Sequence, residues 1–268
     1  MRNRINIKPG FELTPRRDIA DRYNLLAHSF FRRTDVVAYD STVASFIKDR
    51  GIDVGRVAGG GVAHNAIEVE NPKTNTIKQS IVFRFKATAY GSTLYGSSLL
   101  LANKDQFGPH DNWDTGLRWY VGADSWNSAQ LLINDSSLPS RWAYDNQYHT
   151  IVLTWDGVAG IARFFLDGRL ITENLSSGTL LSRKDQSTVD ATQKAFPYRT
   201  STSWADGNAE LYFNFHDELP YDLALEISKN PYILVKQRRR FFGMPVASGG
   251  VAFQPAWAYN ANTLIGGL

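Results

Sequence analysis

The sequence has no cysteine among its 268 residues, which excludes disulfide staples, thiolate nucleophiles and Cys-ligated metal. A chain of this length buries a large core without such staples. No apolar run reaches the roughly eighteen residues a membrane-crossing helix needs. Near the start, Arg2, Arg4, Lys8, Arg16 and Arg17 have no apolar stretch behind them that would make a secretory leader. The expectation is a protein made in a cytoplasm, without membrane insertion. Also missing are a Gly-x-Ser-x-Gly elbow, a His-Glu-x-x-His pair and a phosphate loop, so the common hydrolase and nucleotide chemistries have no foothold. What is present is ordinary globular composition, 43% hydrophobic and 21% charged, with seven tryptophans.

The net charge of +3 conceals a division. Residues 1–33 carry eight Lys/Arg against three Asp/Glu, a net of +5, and residues 229–240 carry five basic residues and no acid. The remainder is therefore acidic, at −7. Basic ends around an acidic middle suit terminal arms that reach for an acidic partner surface. After Arg240 the last 28 residues carry no charge and include Phe241, Phe242, Phe253, Trp257 and Tyr259. Pro245, Pro255 and five glycines interrupt that stretch, so it reads as neither a spanning helix nor a regular strand. Such a tail is expected to fold back on the core or dock on another chain.

Thr14-Pro15 reads as a helix start, and Ile19, Tyr23 and Leu26 follow at helical spacing, which predicts an amphipathic helix over 15–31. A Gly/Ala/Val-rich connector runs from Val54 to Ala63. Residues 1–61 are thus read as a basic N-terminal arm with helix and linker, 62–232 as the domain and 233–268 as a C-terminal arm, although the domain proper could begin as early as Val36. From about Ile77 the pattern changes to short alternating runs: Ser80–Tyr90, Ser97–Asn103, Gly116–Ala123, Gln130–Asn134, Tyr148–Trp155, Ile161–Asp167 and Ala209–Phe215. Short strands without helical periodicity between them predict an antiparallel all-β sandwich. Its clearest part is a pair of linked hairpins in which Ile151, Leu153 and Trp155 share one face and Ala162, Phe164 and Leu166 share another. Both Asp156-Gly157 and Asp167-Gly168 fall where reversals call for positive φ. Residues 172–206, with Phe196-Pro197-Tyr198 and Trp204, read as a long loop over one sheet.

The run from Tyr148-His149 through Leu153-Thr154-Trp155-Asp156-Gly157 to Phe165-Leu166-Asp167-Gly168-Arg169-Leu170-Ile171 resembles the signature hairpins of laminin-G-like, concanavalin A-like jelly-roll domains. The resemblance covers roughly residues 65–228. The segment Leu219-Pro220-Tyr221-Asp222 through Asn230-Pro231-Tyr232 is similar to the short helix and Asn-Pro-aromatic stop that close this domain in many tailed-bacteriophage proteins. A basic stretch such as Gln237-Arg238-Arg239-Arg240 commonly follows there, and Trp257 to Asn262 also looks like the end of such proteins. The resemblance implies a structural virion protein with other phage virion subunits as partners, and a homo-oligomer. It fits a tail-tip or baseplate component, a capsid decoration protein or, without the virion, a free-standing lectin.

A glucan hydrolase of this fold would need paired carboxylates on one strand, typically Glu-x-Asp-x-x-Glu, and no such run is present. The nearest acids, Asp217 and Glu218 beside His216, do not alternate and so cannot line one strand face. They read as turn acids, with Asp222 at a helix start, and no enzyme is expected. The five histidines show no metal-ligand spacing, and His149 reads as structural. The loop from Lys104 to Asp114 is different, since it gathers Asp105, Phe107, His110, Asp111, Asn112, Trp113 and Asp114. Hard oxygen ligands suit calcium, which laminin-G-like domains often hold on a loop rim, and exposed aromatics stack on sugars. Asp105, Asp111 and Asp114 are therefore the calcium candidates, and with Trp113 they are the candidates for contact with a host surface glycan. Arg16, Arg17, Arg238, Arg239, Arg240, Phe241, Phe242, Trp257 and Tyr259 are the candidates for docking on a partner. Specific nucleic-acid binding is not expected, because a basic run without a recognised module is a weak signal.

Overall fold

The computed structural model describes residues 11–39, 44–47, 51–54, 67–70, 78–91, 101–102, 110–112, 116–120, 130–134, 145–173, 192–195 and 204–239. Chain order begins with strand β1 (Phe11–Pro15), helix α1 (Arg17–Arg22) and β2 (Leu25–Ser29). Next come β3 (Ala38–Tyr39), β4 (Ala44–Phe46), β5 (Ile52–Val54), β6 (Ile67–Glu70) and the long β7 (Lys78–Gly91). Four short strands follow: β8 (Leu101–Ala102), β9 (His110–Asn112), β10 (Gly116–Tyr120) and β11 (Gln130–Asn134). Then come β12 (His149–Asp156), β13 (Ile161–Leu166), β14 (Arg169–Thr172), β15 (Thr192–Ala195) and β16 (Trp204–Phe215). Helix α2 (Tyr221–Lys229), a 3-10 turn (Pro231–Leu234) and β17 (Val235–Arg239) close the described chain.

An eight-stranded sheet in the order β14-β13-β12-β7-β16-β5-β4 forms the centre, with β2 also on β16. A four-stranded sheet, β3-β6-β15-β8, lies over one face, and β11-β10-β9 and β1-β17 make smaller sheets. Every described ladder is antiparallel. Period-two alternation explains the layering. On one face Ile81, Phe83, Phe85, Ile151, Leu153, Trp155 and Phe164 pack with Ile67 and Val69 of the smaller sheet. On the other, Val82, Val152, Phe165, Phe213 and Phe215 are covered by Ala224 and Ile227 of α2 and by Leu13 and Leu234. The central sheet is thus buried on both sides, which explains why its strands read as nearly continuous apolar runs.

An irregularity in β16 makes this double burial work. Its register against β7 shifts between Ala209 and Leu211. Ala209 and Tyr212 therefore pack in the sandwich core, while Leu211, Phe213 and Phe215 pack under the helix. The extra residue, Glu210, is set on the helix side. A second shift falls between Asp206 and Gly207, where a Cβ on Gly207 would stand 2.2 Å from the Lys86 carbonyl oxygen.

The helix expected over 15–31 is corrected to the six residues of α1. Pro15 ends β1 instead of opening the helix, and Asn24, at φ 50°, turns the chain into β2. β2, β4 and β5 then belong to the central sheet, so the described part of the expected arm from residue 25 onward is built into the sandwich. The local spacing of Ile19, Tyr23 and Leu26 fits a helix, but pairing with β16 across the whole sequence outweighs it. Residues 172–206, read as a loop, contribute β15 and the start of β16. Of the two Asp-Gly pairs only Asp167-Gly168 has positive φ, at 47° and 86°. At the other reversal the left-handed residue is Gly160, and Asp156 Oδ1 accepts the Val158 and Ala159 amides at 2.8 and 2.9 Å.

Candidate functional site

Beyond the apolar patch beneath α2, the same sheet face changes character. Lys86, Arg84, Asn208 and Glu210 lie on adjacent strands β7 and β16, with Tyr148 leading into β12 and Tyr232 in the 3-10 turn. Arg84 Nε donates to Glu210 Oε2 at 2.7 Å, and its Nη1 donates to Thr150 Oγ1 at 3.0 Å. The guanidinium carbon lies 4.9 Å from the Tyr148 ring centre and 5.5 Å from that of Tyr232. The Tyr232 hydroxyl donates to the second Glu210 oxygen. Both ends of the carboxylate are therefore engaged, and Glu210 acts as a positioning group.

The pair is deeply set, with 15% of the Arg84 and 7% of the Glu210 side chain exposed. Burial works against the charge on Arg84, but Tyr232 and the Glu210 carboxylate outweigh it and raise its pKa above the ordinary value. A weakly hydrated planar guanidinium suits this setting, where a lysine could not fill both the ionic and the aromatic role. Outward from the pair, Lys86 Nζ stands 5.7 Å from the Tyr148 ring centre. The Tyr148 hydroxyl donates to Asn208 Oδ1 at 2.8 Å. Asn208 Nδ2 in turn donates to the Ile52 carbonyl at 3.2 Å and to Asp53 Oδ1 at 3.0 Å. Two half-buried tyrosines are thus clamped at both ring and hydroxyl, beside an amide, a lysine and an exposed carboxylate. Fixed aromatic rings ringed by a few oriented polar groups are suited to binding a polar ligand with flat apolar faces.

Near the β13–β14 turn, His149 bridges two carboxylates: Nδ1 to Asp167 Oδ2 at 2.6 Å and Nε2 to Asp145 Oδ1 at 2.9 Å. Burial lowers its proton affinity, but the Asp167 and Asp145 bonds prevail and its pKa is raised. With a proton on each nitrogen, the ring ties the segment before β12 to the hairpin turn. At the far end of the strands, Asp217 and Glu218 are paired, so they are more than solvated turn acids. Asp217 Oδ2 accepts from Asn24 Nδ2 at 2.6 Å, and Glu218 bonds Arg163. Burial and nearby Asp156 raise the Glu218 pKa despite Arg163, and burial lowers that of His216 to about 4.

Of the loop candidates, Asp105, Trp113 and Asp114 lie outside the described residues, and Asp111 is placed only through its backbone in β9. Among the described residues no three His, Asp or Glu side chains converge as a metal site. Of the docking candidates, Arg16 pairs with Asp18 and donates to the Ile233 carbonyl at 3.3 Å, and Arg17 is exposed. Arg238 and Arg239 lie in β17, opposite Glu12 and Phe11. Arg240, Phe241, Phe242, Trp257 and Tyr259 lie outside the described residues. Sequence reasoning missed Arg84 and Glu210. Their signal was a lone charge inside each of two strongly apolar strands, Ile81–Phe85 and Ala209–Phe215.

Neither a protein-family profile nor a curated protein sequence matches the chain. Among solved structures, the binding domain of botulinum neurotoxin serotype G is similar at a TM-score of 0.55 and 14% identity, covering 76% of this chain and 50% of that one. The binding domain of Paraclostridial Mosquitocidal Protein 1 is similar at a TM-score of 0.53 and 10% identity, covering 78% and 52% respectively. The chain spans about half the length of each of these binding domains. What they share with it is the fold, an antiparallel jelly-roll β-sandwich.

Proposed function

We propose that the chain is a non-enzymatic, glycan-binding structural protein of a tailed-phage virion. In this reading it sits at the tail tip or baseplate, assembles with copies of itself, and is held on other virion subunits through its terminal segments. The observation that carries the binding part is the clamped tyrosine surface around Arg84 and Glu210. Its rings are already fixed by four side-chain partners, so little conformational entropy is lost when a sugar stacks on them. The virion part is supported by the closing segment from Leu219 to Tyr232, which resembles those of phage proteins. An uncharged aromatic tail after Arg240 also suits a docked segment better than a solvated one.

Two measurements test this. On a glycan array, the full chain gives saturable signals that Tyr148→Ala removes. A blank array, or signals indifferent to Tyr148→Ala, refutes the tyrosine surface as the site. Immunogold microscopy of intact particles, with antibody to residues 65–228, gives label at the distal tail. Label over the heads makes the protein a capsid decoration subunit, and no label on any particle leaves a free lectin.

A further inference from the structure

The two basic ends of the sequence meet in space. β1 pairs with β17 from Phe11↔Arg239 to Pro15↔Val235, and the Arg16 amide continues the ladder by donating to the Leu234 carbonyl at 2.8 Å. Where α1 leaves this ribbon there is a cleft of about 460 Å³ lined by Arg16, Arg17, Asp18, Val235 and Lys236. Three cations and one carboxylate give the lining a net charge of +2. The cations have different tasks. Arg16 is held, its guanidinium spanning Asp18 and the Ile233 carbonyl. Arg17 and Lys236 are exposed, and neither meets a carboxylate among the described residues. Like charges lining one hollow repel each other, and an anion bound among them offsets that repulsion.

We propose that this cleft binds a phosphate monoester carried on a sugar or polyol. The charge matches, since a monoester carries about −1.5 to −2 near neutral pH, whereas a carboxylate, sulfate ester or phosphodiester carries one charge. Arginine supplies the paired donors that fit phosphate oxygens, and lysine adds a point charge. The half-buried Val235 adds an apolar side chain to the lining, against which a carbon skeleton can rest. The cleft also adjoins the tyrosine surface, because the 3-10 turn that presents Tyr232 supplies the Ile233 and Leu234 carbonyls that anchor Arg16. The proposal thus rests on the glycan-binding reading and gives it a chemical preference for phosphorylated surface sugars.

The test is calorimetric titration of the full chain with glucose 6-phosphate, alongside glucose 6-sulfate, glucuronate and inorganic phosphate. Glucose 6-phosphate binds most tightly, and binding weakens as salt rises. Arg17→Gln and Lys236→Gln each weaken it about tenfold, the scale of a lost charge-assisted contact. Both positions are exposed, and unchanged thermal unfolding confirms that the variants fold. Asp18→Asn frees the Arg16 guanidinium and tightens binding several-fold, a gain that a merely structural role for Asp18 would not produce. Equal binding of all four probes, no binding, or binding indifferent to Arg17 and Lys236 overturns the proposal. The neutral-glycan array reads the tyrosine surface separately. Array signal without glucose 6-phosphate binding defeats the cleft alone, and glucose 6-phosphate binding with a blank array defeats the tyrosine surface alone.

Discussion

Replacing Glu210 with leucine leaves the Arg84 guanidinium 15% exposed, without its carboxylate, between two rings. Stranding one member of a buried ion pair costs about 3–5 kcal/mol, most of it the penalty of an uncompensated charge. Arg84→Met strands the carboxylate and falls in the same range. The double variant Arg84→Met/Glu210→Leu removes both charges. It retains the loss of the guanidinium contacts with the Tyr148 and Tyr232 rings and of partners for the Thr150 and Tyr232 hydroxyls, the latter about 1–3 kcal/mol each where they stay unsatisfied. The two single costs therefore exceed the double cost, with a coupling of about 3 kcal/mol. Equilibrium urea unfolding of the four proteins measures it directly, since the midpoint shifts at constant slope. Additivity within about 0.5 kcal/mol would mean that the pair is solvated and does not hold the tyrosines. Such a result would remove the physical basis for a preorganised surface there.

His149 gives a pH signature. Its folded pKa is raised above the ordinary 6.5, so its contribution is fully present below about pH 6.5 and is lost as pH rises through the folded value. Thermal midpoints of wild type should fall across that window relative to those of His149→Gln, and parallel curves would contradict the bridging imidazolium. Gly207→Ala forces a Cβ to 2.2 Å from the Lys86 carbonyl oxygen, backbone that cannot swing aside, and should cost about 3 kcal/mol or more. Urea midpoints or loss of soluble expression would report it, and a near-neutral effect would disprove the close approach of β7 and β16. Trp155→Ala, at a fully buried site, should cost about 3–5 kcal/mol through lost burial and cavity formation, again read from the urea midpoint.

The parts of the fold legible in sequence are those where local pattern and tertiary role agree. β12 and β13 were readable to within a residue because Ile151, Leu153, Trp155, Ala162 and Phe164 alternate toward one core. The short helix after Leu219 was legible through the resemblance of its closing segment, and in the structure its buried Ala224 and Ile227 sit three apart. β2 was illegible because its partners Tyr212–Phe215 lie far along the chain. Its few residues carry no alternation strong enough to compete with a helical reading. The tyrosine surface was hidden by distance too. Arg84 and Glu210 are 126 residues apart, and only the register of β7 against β16, with its extra residue at Glu210, brings them face to face. Charge pattern marked both ends as basic arms suited to an acidic partner surface, and carried no sign that they would pair as strands.

That pairing also determines how the domain carries load. Among the described residues the chain passes into the ribbon at Phe11 and out of it at Arg239, and these two residues face each other as the outermost pair of the ladder. Tension that pulls entry and exit apart would open the ladder one hydrogen bond at a time, starting with this pair, the mechanically weak direction for an antiparallel ribbon. Tension applied to both strands together, from a common anchorage, leaves the ladder unstretched and passes through Leu13 and Leu234 into the packing beneath α2. A domain tethered by both ends at one place is therefore strong against being pulled off its support and weak against having its two tethers separated.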